Sequence, residues 1–189
     1  MAMGTSSSML GCALLLLVLS SATDVHGGPS SSAAPRSPLD NLCISLGSRY
    51  VTPELCVSTL CVDPSCRSAR GLPDLAVLAT RLAVVNATVA KASIESALAH
   101  AKNAKARKVM RSCLQLYVSG VLPPLQWAAR SVAAGRYSGV SEKLRAAMDA
   151  SNGCANLAGH EVALPKNDDF YMMAYVVQAV VEWVQHVIG

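Results

Sequence analysis

The sequence predicts an all-α protein: an up-and-down four-helix bundle, preceded by a short helical hairpin and stabilised by disulfides. Three observations carry this. Hydrophobic residues are 52% of the 189 residues and aromatics only 4%, so the core must be built from Ala, Val and Leu, which suit close-packed helices better than a β-sandwich. Apolar residues recur every three to four positions over long segments. Seven cysteines in a chain with a secretory leader point to covalent cross-links. Charged residues are only 15%, which excludes a charge-rich disordered chain. The surplus of 16 Lys and Arg over 12 Asp and Glu reads as mild and scattered, so nucleic acid is not an expected partner.

Residues Met9 to Leu19, with Leu14 to Leu17 at their centre, form an apolar stretch of signal-peptide length. Ser20, Ser21 and Ala22 follow as small cleavage-zone residues, and the stretch is too short to span a bilayer. Cleavage is expected after Ala22, with Gly27 as the alternative, so residues 1–22 are read as a signal peptide and the mature protein as secreted. Residues 23–38, rich in Gly, Ser, Ala and Pro, read as a flexible leader. Residues 39–189 form the folded domain, divided into a hairpin (39–70) and a bundle (72–188).

The hairpin is short and punctuated. Leu42, Cys43 and Leu46 share one helical face. Thr52, Pro53 and Glu54 supply an N-cap, a first-turn proline and an acid near the helix dipole, opening a second short helix to Leu60. Asp63-Pro64 ends it. Neither piece is long enough to be stable alone.

Four longer helices follow. The first runs from Leu72 to about Ala101, with Leu75, Leu78, Leu82, Val85, Val89, Ala92 and Ser96 on one face. The second runs from about Ala104 to Ala134 with Val109, Cys113, Leu116, Tyr117 and Gly120 inward, and Gly135 ends it. Pro123-Pro124 should kink or break it, because two amide donors are lost and the rings clash with the preceding turn. The third runs from about Ser138 to Ser151, with Val140, Leu144, Ala147 and Met148 inward, and Asn152-Gly153 is expected to stop it. After a loop from Gly159 to Asn167, the last helix runs from about Asp168 to His186 on a stripe of Phe170, Met173, Val177, Val180 and Val184. Gln178, Glu182, Gln185 and His186 interrupt its apolar surface, which favours a core helix over a membrane anchor.

Loss of Cys12 with the signal leaves Cys43, Cys56, Cys61, Cys66, Cys113 and Cys154. An even set in a secreted chain reads as a disulfide framework, although six thiols can pair in many ways. A Cys43–Cys56 link would close the hairpin, and a Cys113–Cys154 link would tie the second bundle helix to the end of the third. The spacing of Cys56, Cys61 and Cys66, with no nearby histidine, disfavours zinc. Asn86-Ala87-Thr88 is a glycosylation sequon at the edge of the first bundle helix's apolar face.

Catalytic groups are not apparent. His26, His100, His160 and His186 form no triad or metal spacing, and Asp168 and Asp169 serve as acids at a helix start. No catalytic residue, metal or cofactor is expected. Lys102, Lys105, Arg107, Lys108 and Arg111 form a basic run, read first as a solvated helix junction and otherwise as a site for an acidic polymer.

In order and spacing, several features resemble the plant invertase and pectin methylesterase inhibitor family. These are the signal peptide, Cys43 and Cys56 around a hairpin with Thr52-Pro53, Cys113-x3-Tyr117, the Gly135-Arg136-Tyr137 turn, and Cys154. The resemblance spans Leu39 to Gly189. It implies a four-helix bundle with an N-terminal hairpin and disulfides Cys43–Cys56 and Cys113–Cys154. Cys61 and Cys66 depart from the family's four-cysteine pattern and are expected to form a local third bridge. Pro123-Pro124 is a second departure, in a helix the family keeps continuous.

The resemblance also implies an inhibitor rather than an enzyme, a monomer acting in the apoplast and cell wall. Its target would be a pectin methylesterase, held in a one-to-one complex that covers the substrate groove, or alternatively an acid invertase. Invertase inhibitors carry Pro-Lys-Phe after the second bundle helix. This chain has Gly135-Arg136-Tyr137 there, closer to the Gly-Asp-Tyr of the pectin methylesterase inhibitors, and Pro165-Lys166 lies in the wrong loop to count. The outer faces of the second and third helices are the expected partner surface: Gln115, Ser119, Gln126 and Arg130 on one, Ser141, Lys143 and Arg145 on the other.

Overall fold

A computed structural model of the protein describes residues 36–47 and 51–188. The expected signal peptide and nearly all of the expected leader lie outside these residues. Helix α1 (Pro38–Leu46) starts just inside the leader's expected end, capped by Ser37, whose hydroxyl accepts from the Asp40 amide. Helix α2 (Pro53–Leu60) is capped by Thr52, and a 3-10 turn (Pro64–Ser68) by Asp63. Cys43–Cys56 joins α1 to α2, and Cys61–Cys66 closes the segment after α2, with Cα separations of 5.5 and 5.2 Å. Arg81 pairs with Asp63 at 2.5 Å, fastening that segment to the bundle.

Four rods form the bundle. They are α3 (Leu72–His100); α4 (Ala104–Leu116) running through a π-helical turn (Tyr117–Val121) into α5 (Leu122–Ala133); α6 (Val140–Ala158); and α7 (Asn167–Ile188). Each rod packs on two neighbours in a closed ring, with α3 diagonal to α6. The hairpin lies against α3 and α7. Cys113–Cys154 crosses from α4 to α6 with a Cα separation of 5.0 Å. Short connections between antiparallel neighbours make the bundle up-and-down.

The inward stripes of α6 and α7 follow the apolar period. Val140, Leu144, Ala147 and Met148 are buried, as are Phe170, Met173, Val177, Val180 and Val184. In α3 the expected stripe holds only over Leu75, Leu78 and Leu82. Val85 and Val89 are 54% and 48% exposed, and Ala79, Ala83, Ala87, Ala90 and Ile94 carry the core instead. The expected positions repeat every seven residues, and an α-helix drifts by about 20° per such repeat. Over a helix of this length the drift moves the face. The alanines also let neighbouring backbones approach closely, a packing gain that a valine stripe would forfeit.

Two other boundaries differ. The α-helical ladder of the second rod is interrupted as expected, in the turn just ahead of the prolines rather than at them. The turn before them widens, and the Leu122 amide donates to the Tyr117 carbonyl, five residues back. This relieves the ring clash one turn upstream, a known accommodation for an interrupted hydrogen-bond ladder. The third rod starts at Val140, after Gly139 in the left-handed region (φ 74°), rather than at Ser138. It also runs through Asn152-Gly153 to Ala158. A mid-helix glycine costs about 1 kcal/mol relative to alanine. Here Gly153 faces Leu116, whose methyl would lie 3.6 Å from an added Cβ, and continuation buries Cys154 and Ala158.

Among the described residues, α3 alone has the length and apolar content of a membrane span. Its buried stripe packs on α5 and α7, as expected of a core helix.

Candidate functional site

The α5–α6 corner holds three of the seven expected partner residues, Gln126, Arg130 and Lys143. Helix α5 buries Leu125, Ala128 and Val132, which turns Gln126 and Arg130 outward, one helical turn apart. The helix ends in a Schellman-type turn: Gly135 adopts φ 70°, the Arg136 amide donates to the Ser131 carbonyl at 2.9 Å, and the Gly135 amide donates to the Val132 carbonyl at 2.9 Å. The left-handed geometry at Gly135 and again at Gly139 reverses the chain within a few residues and projects Arg136 into solvent. Tyr137 tucks its ring against the core, and burial raises its hydroxyl pKa.

Across the corner, the Lys143 ammonium sits 5.7 Å from the centre of the Trp127 ring. Trp127 is 38% exposed, and its ring edge lies 3.6 Å from where a Gly139 Cβ would stand. That is an ordinary contact distance, so glycine is needed here for its left-handed backbone (φ 74°) rather than to make room for the indole. The sequence reading omits Trp127. Its signal is that it follows Leu125 by two residues and so falls off the buried stripe, leaving a large aromatic partly in water.

The other expected residues divide. Gln115 and Ser119 are exposed farther along the same rod, and the Ser119 hydroxyl donates to the Gln115 carbonyl at 2.8 Å. Ser141 is half-buried, and its Oγ does not face outward but is buried without a hydrogen-bond partner. The expectation fails because Ser141 directly follows the fully buried Val140 in the first turn of α6, close to the core side. Arg145 is exposed on the other flank of α6. There it borders a groove of about 650 Å³ shared with Met148, Tyr171, Tyr175, Glu182 and Trp183. Arg145 and Lys143 thus serve different faces. Asn86 lies half-buried within α3.

Among the described residues no group of three or more His, Cys, Asp or Glu side chains is placed to hold a metal ion. The corner offers cations, amides and an aromatic face but no paired acid and base. These cations, the amide and the aromatic face are groups suited to recognition.

The chain matches the family model for Plant invertase/pectin methylesterase inhibitor over residues 37–179. It belongs to this family. Two solved structures share the fold. One is a mutant form of a pectin methylesterase inhibitor from Arabidopsis, with a TM-score of 0.63 and 18% identity, covering 78% of this chain and 97% of that one. The other is a pectin methylesterase inhibitor from Arabidopsis thaliana, with a TM-score of 0.56 and 16% identity, covering 77% and 95%. No curated protein matches the chain at a significant level. The family match covers the whole α5–α6 corner.

Proposed function

We propose that the protein is an extracellular inhibitor of pectin methylesterase, acting in the plant cell wall as a monomer that covers the enzyme's substrate groove in a one-to-one complex. Family membership supports an inhibitory role. The observation that carries the choice of target is the turn after α5. Its Gly135-Arg136-Tyr137 takes the place of the Pro-Lys-Phe expected of an invertase inhibitor, and the tyrosine is anchored in the core while Arg136 faces out. The two solved structures described above are pectin methylesterase inhibitors, in keeping with this choice.

The physical basis is exclusion. A rigid helix pair, held by Cys113–Cys154 and the Schellman turn, presents its contacts already ordered, so little conformational entropy is lost on docking. Trp127, Gln126, Arg130, Arg136 and Lys143 form the contact set, with the indole as its aromatic anchor.

The test is inhibition by the purified, oxidised protein of a pectin methylesterase and an acid invertase in parallel. Loss of esterase activity near equimolar inhibitor, with invertase untouched, is the expected result. Full esterase activity together with loss of invertase activity reverses the target.

A further inference from the structure

The positive charge of this chain is segregated, not scattered. Residues 96–141 contain seven Lys and Arg and no Asp or Glu, whereas the rest of the chain has nine against twelve. The net excess therefore resides on the second rod and its flanking connections. Helix α4 opens with Lys105, Arg107 and Lys108 and has no acid in its first turn. The partial positive charge of a helix N-terminus disfavours this arrangement, so helix formation does not account for it.

Two of these charges have structural employment. Lys105 pairs with Glu161, and the Arg107 guanidinium donates to the Ala101 and Lys102 carbonyls at the end of α3, at 3.1 and 3.2 Å. Lys102, Lys108 and Arg111 are exposed and have no ion pair among the described residues. Lys102 lies in the connection just ahead of α4, and from Ala104 to Arg111 the helix advances on the order of 10 Å. The three cations line an edge without converging on a cavity. A small anion would touch one of them, whereas an extended polyanion would engage all three.

We infer that this edge binds a polyuronate, a polysaccharide bearing regularly spaced carboxylates. The identity of the polymer rests on the proposed target. Hydrolysis of a pectin methyl ester consumes water, breaks the acyl–oxygen bond, and releases methanol and a proton, leaving a carboxylate on the polymer. The reaction thus creates the charge the edge attracts, and the inhibitor collects where the esterase has already worked. The edge lies at the start of α4 and the Trp127 corner at the far end of the rod, so polymer and enzyme can be held together.

The experiment is retention, without enzyme, on immobilised polygalacturonate and on its fully methyl-esterified form at low and high salt. Three proteins are compared: the wild type, a Lys102→Gln, Lys108→Gln, Arg111→Gln variant, and an Arg36→Gln, Arg67→Gln, Arg70→Gln variant of the same net charge. Wild type and the second variant should bind polygalacturonate, release in salt, and ignore the ester, whereas the first variant should bind about tenfold more weakly or worse. Equal weakening of both variants, or equal wild-type retention on the ester, overturns the inference. Inhibition of the esterase on a fully esterified substrate should be the same for all three. Retention by a wild type that inhibits no esterase supports the edge and removes the esterase reading instead.

Discussion

The Tyr117 hydroxyl donates to Asn167 Oδ1 at 2.9 Å in the centre of the bundle. The same oxygen accepts from Ser151 Oγ at 3.1 Å, and the Asn167 amide returns a bond to the Ser151 carbonyl at 3.4 Å. Tyr117 opens the π-helical turn, Ser151 lies on α6 and Asn167 starts α7, so one buried polar cluster fixes the register of three rods. The Tyr117 ring meets Phe170 edge-on at 5.9 Å, which adds an apolar contact to the polar one.

Removing the hydroxyl leaves Asn167 Oδ1 with one donor. Tyr117→Phe should therefore cost about 1–2 kcal/mol of stability. The cost should depend on pH. Burial raises the Tyr117 pKa from 10.0 to about 12. Between those values the unfolded chain releases the phenolic proton and the folded chain keeps it, so this contribution is intact below pH 10 and declines as pH rises toward 12. Urea midpoints of wild type and Tyr117→Phe at pH 8 and pH 11 check this: the gap should narrow by about 1 kcal/mol at the higher pH. A constant gap would mean that the ionised phenolate is tolerated.

At Gly120 the added Cβ of an alanine would lie 2.9 Å from Ala150 Cβ on α6. Rod two must then move away from rod three or bend locally. Gly120→Ala should destabilise the fold by about 1–3 kcal/mol despite alanine's better helix propensity. Adding Ala150→Gly should recover part of that loss, since the two sites share one contact. Chemical denaturation of the four proteins in the cycle reads the coupling, which should reach about 1 kcal/mol.

The three disulfides should differ in weight. Cys113–Cys154 spans 41 residues and Cys61–Cys66 only 5. On chain-entropy grounds the first contributes about 4 kcal/mol and the second about 2 kcal/mol. Replacing both members of each pair by alanine and comparing melting temperatures tests the order. A larger loss from the Cys61/Cys66 pair would show that the local loop does more than limit the unfolded chain.

The rods are legible in the sequence because a buried helix stripe leaves a period that side-chain chemistry alone reveals, as in Phe170 to Val184. The face of α3 is less legible because alanine buries as readily as valine when backbones approach closely, and hydrophobicity alone favours the valines. The end of α6 is hidden for a related reason: Asn152-Gly153 has the chemistry of a stop, and only the packing of Gly153 on Leu116 and the burial of Cys154 outweigh it. The prolines announce a disturbance, while its form, a widened turn ahead of them, depends on a ladder that sequence does not display. Of the corner, Gln126, Arg130 and Lys143 follow from helical angle. Trp127 and the inward Ser141 require the neighbouring rod to be in place.

That division among the expected contact residues has measurable consequences. Trp127 presents an aromatic face beside Lys143, the type of group whose truncation most weakens protein complexes. Trp127→Ala should raise the inhibition constant for pectin methylesterase about thirtyfold, equivalent to roughly 2 kcal/mol. Arg145→Ala, on the other flank of α6, should leave inhibition within about twofold, well short of a hot-spot effect. Ser141→Ala should not alter inhibition and should raise stability by about 1 kcal/mol, because a buried hydroxyl without a partner is removed. Circular dichroism confirms that each variant is folded before its inhibition is measured. If Arg145→Ala weakened inhibition more than Trp127→Ala, the contact face would belong to the α6–α7 groove and the corner would lose its role.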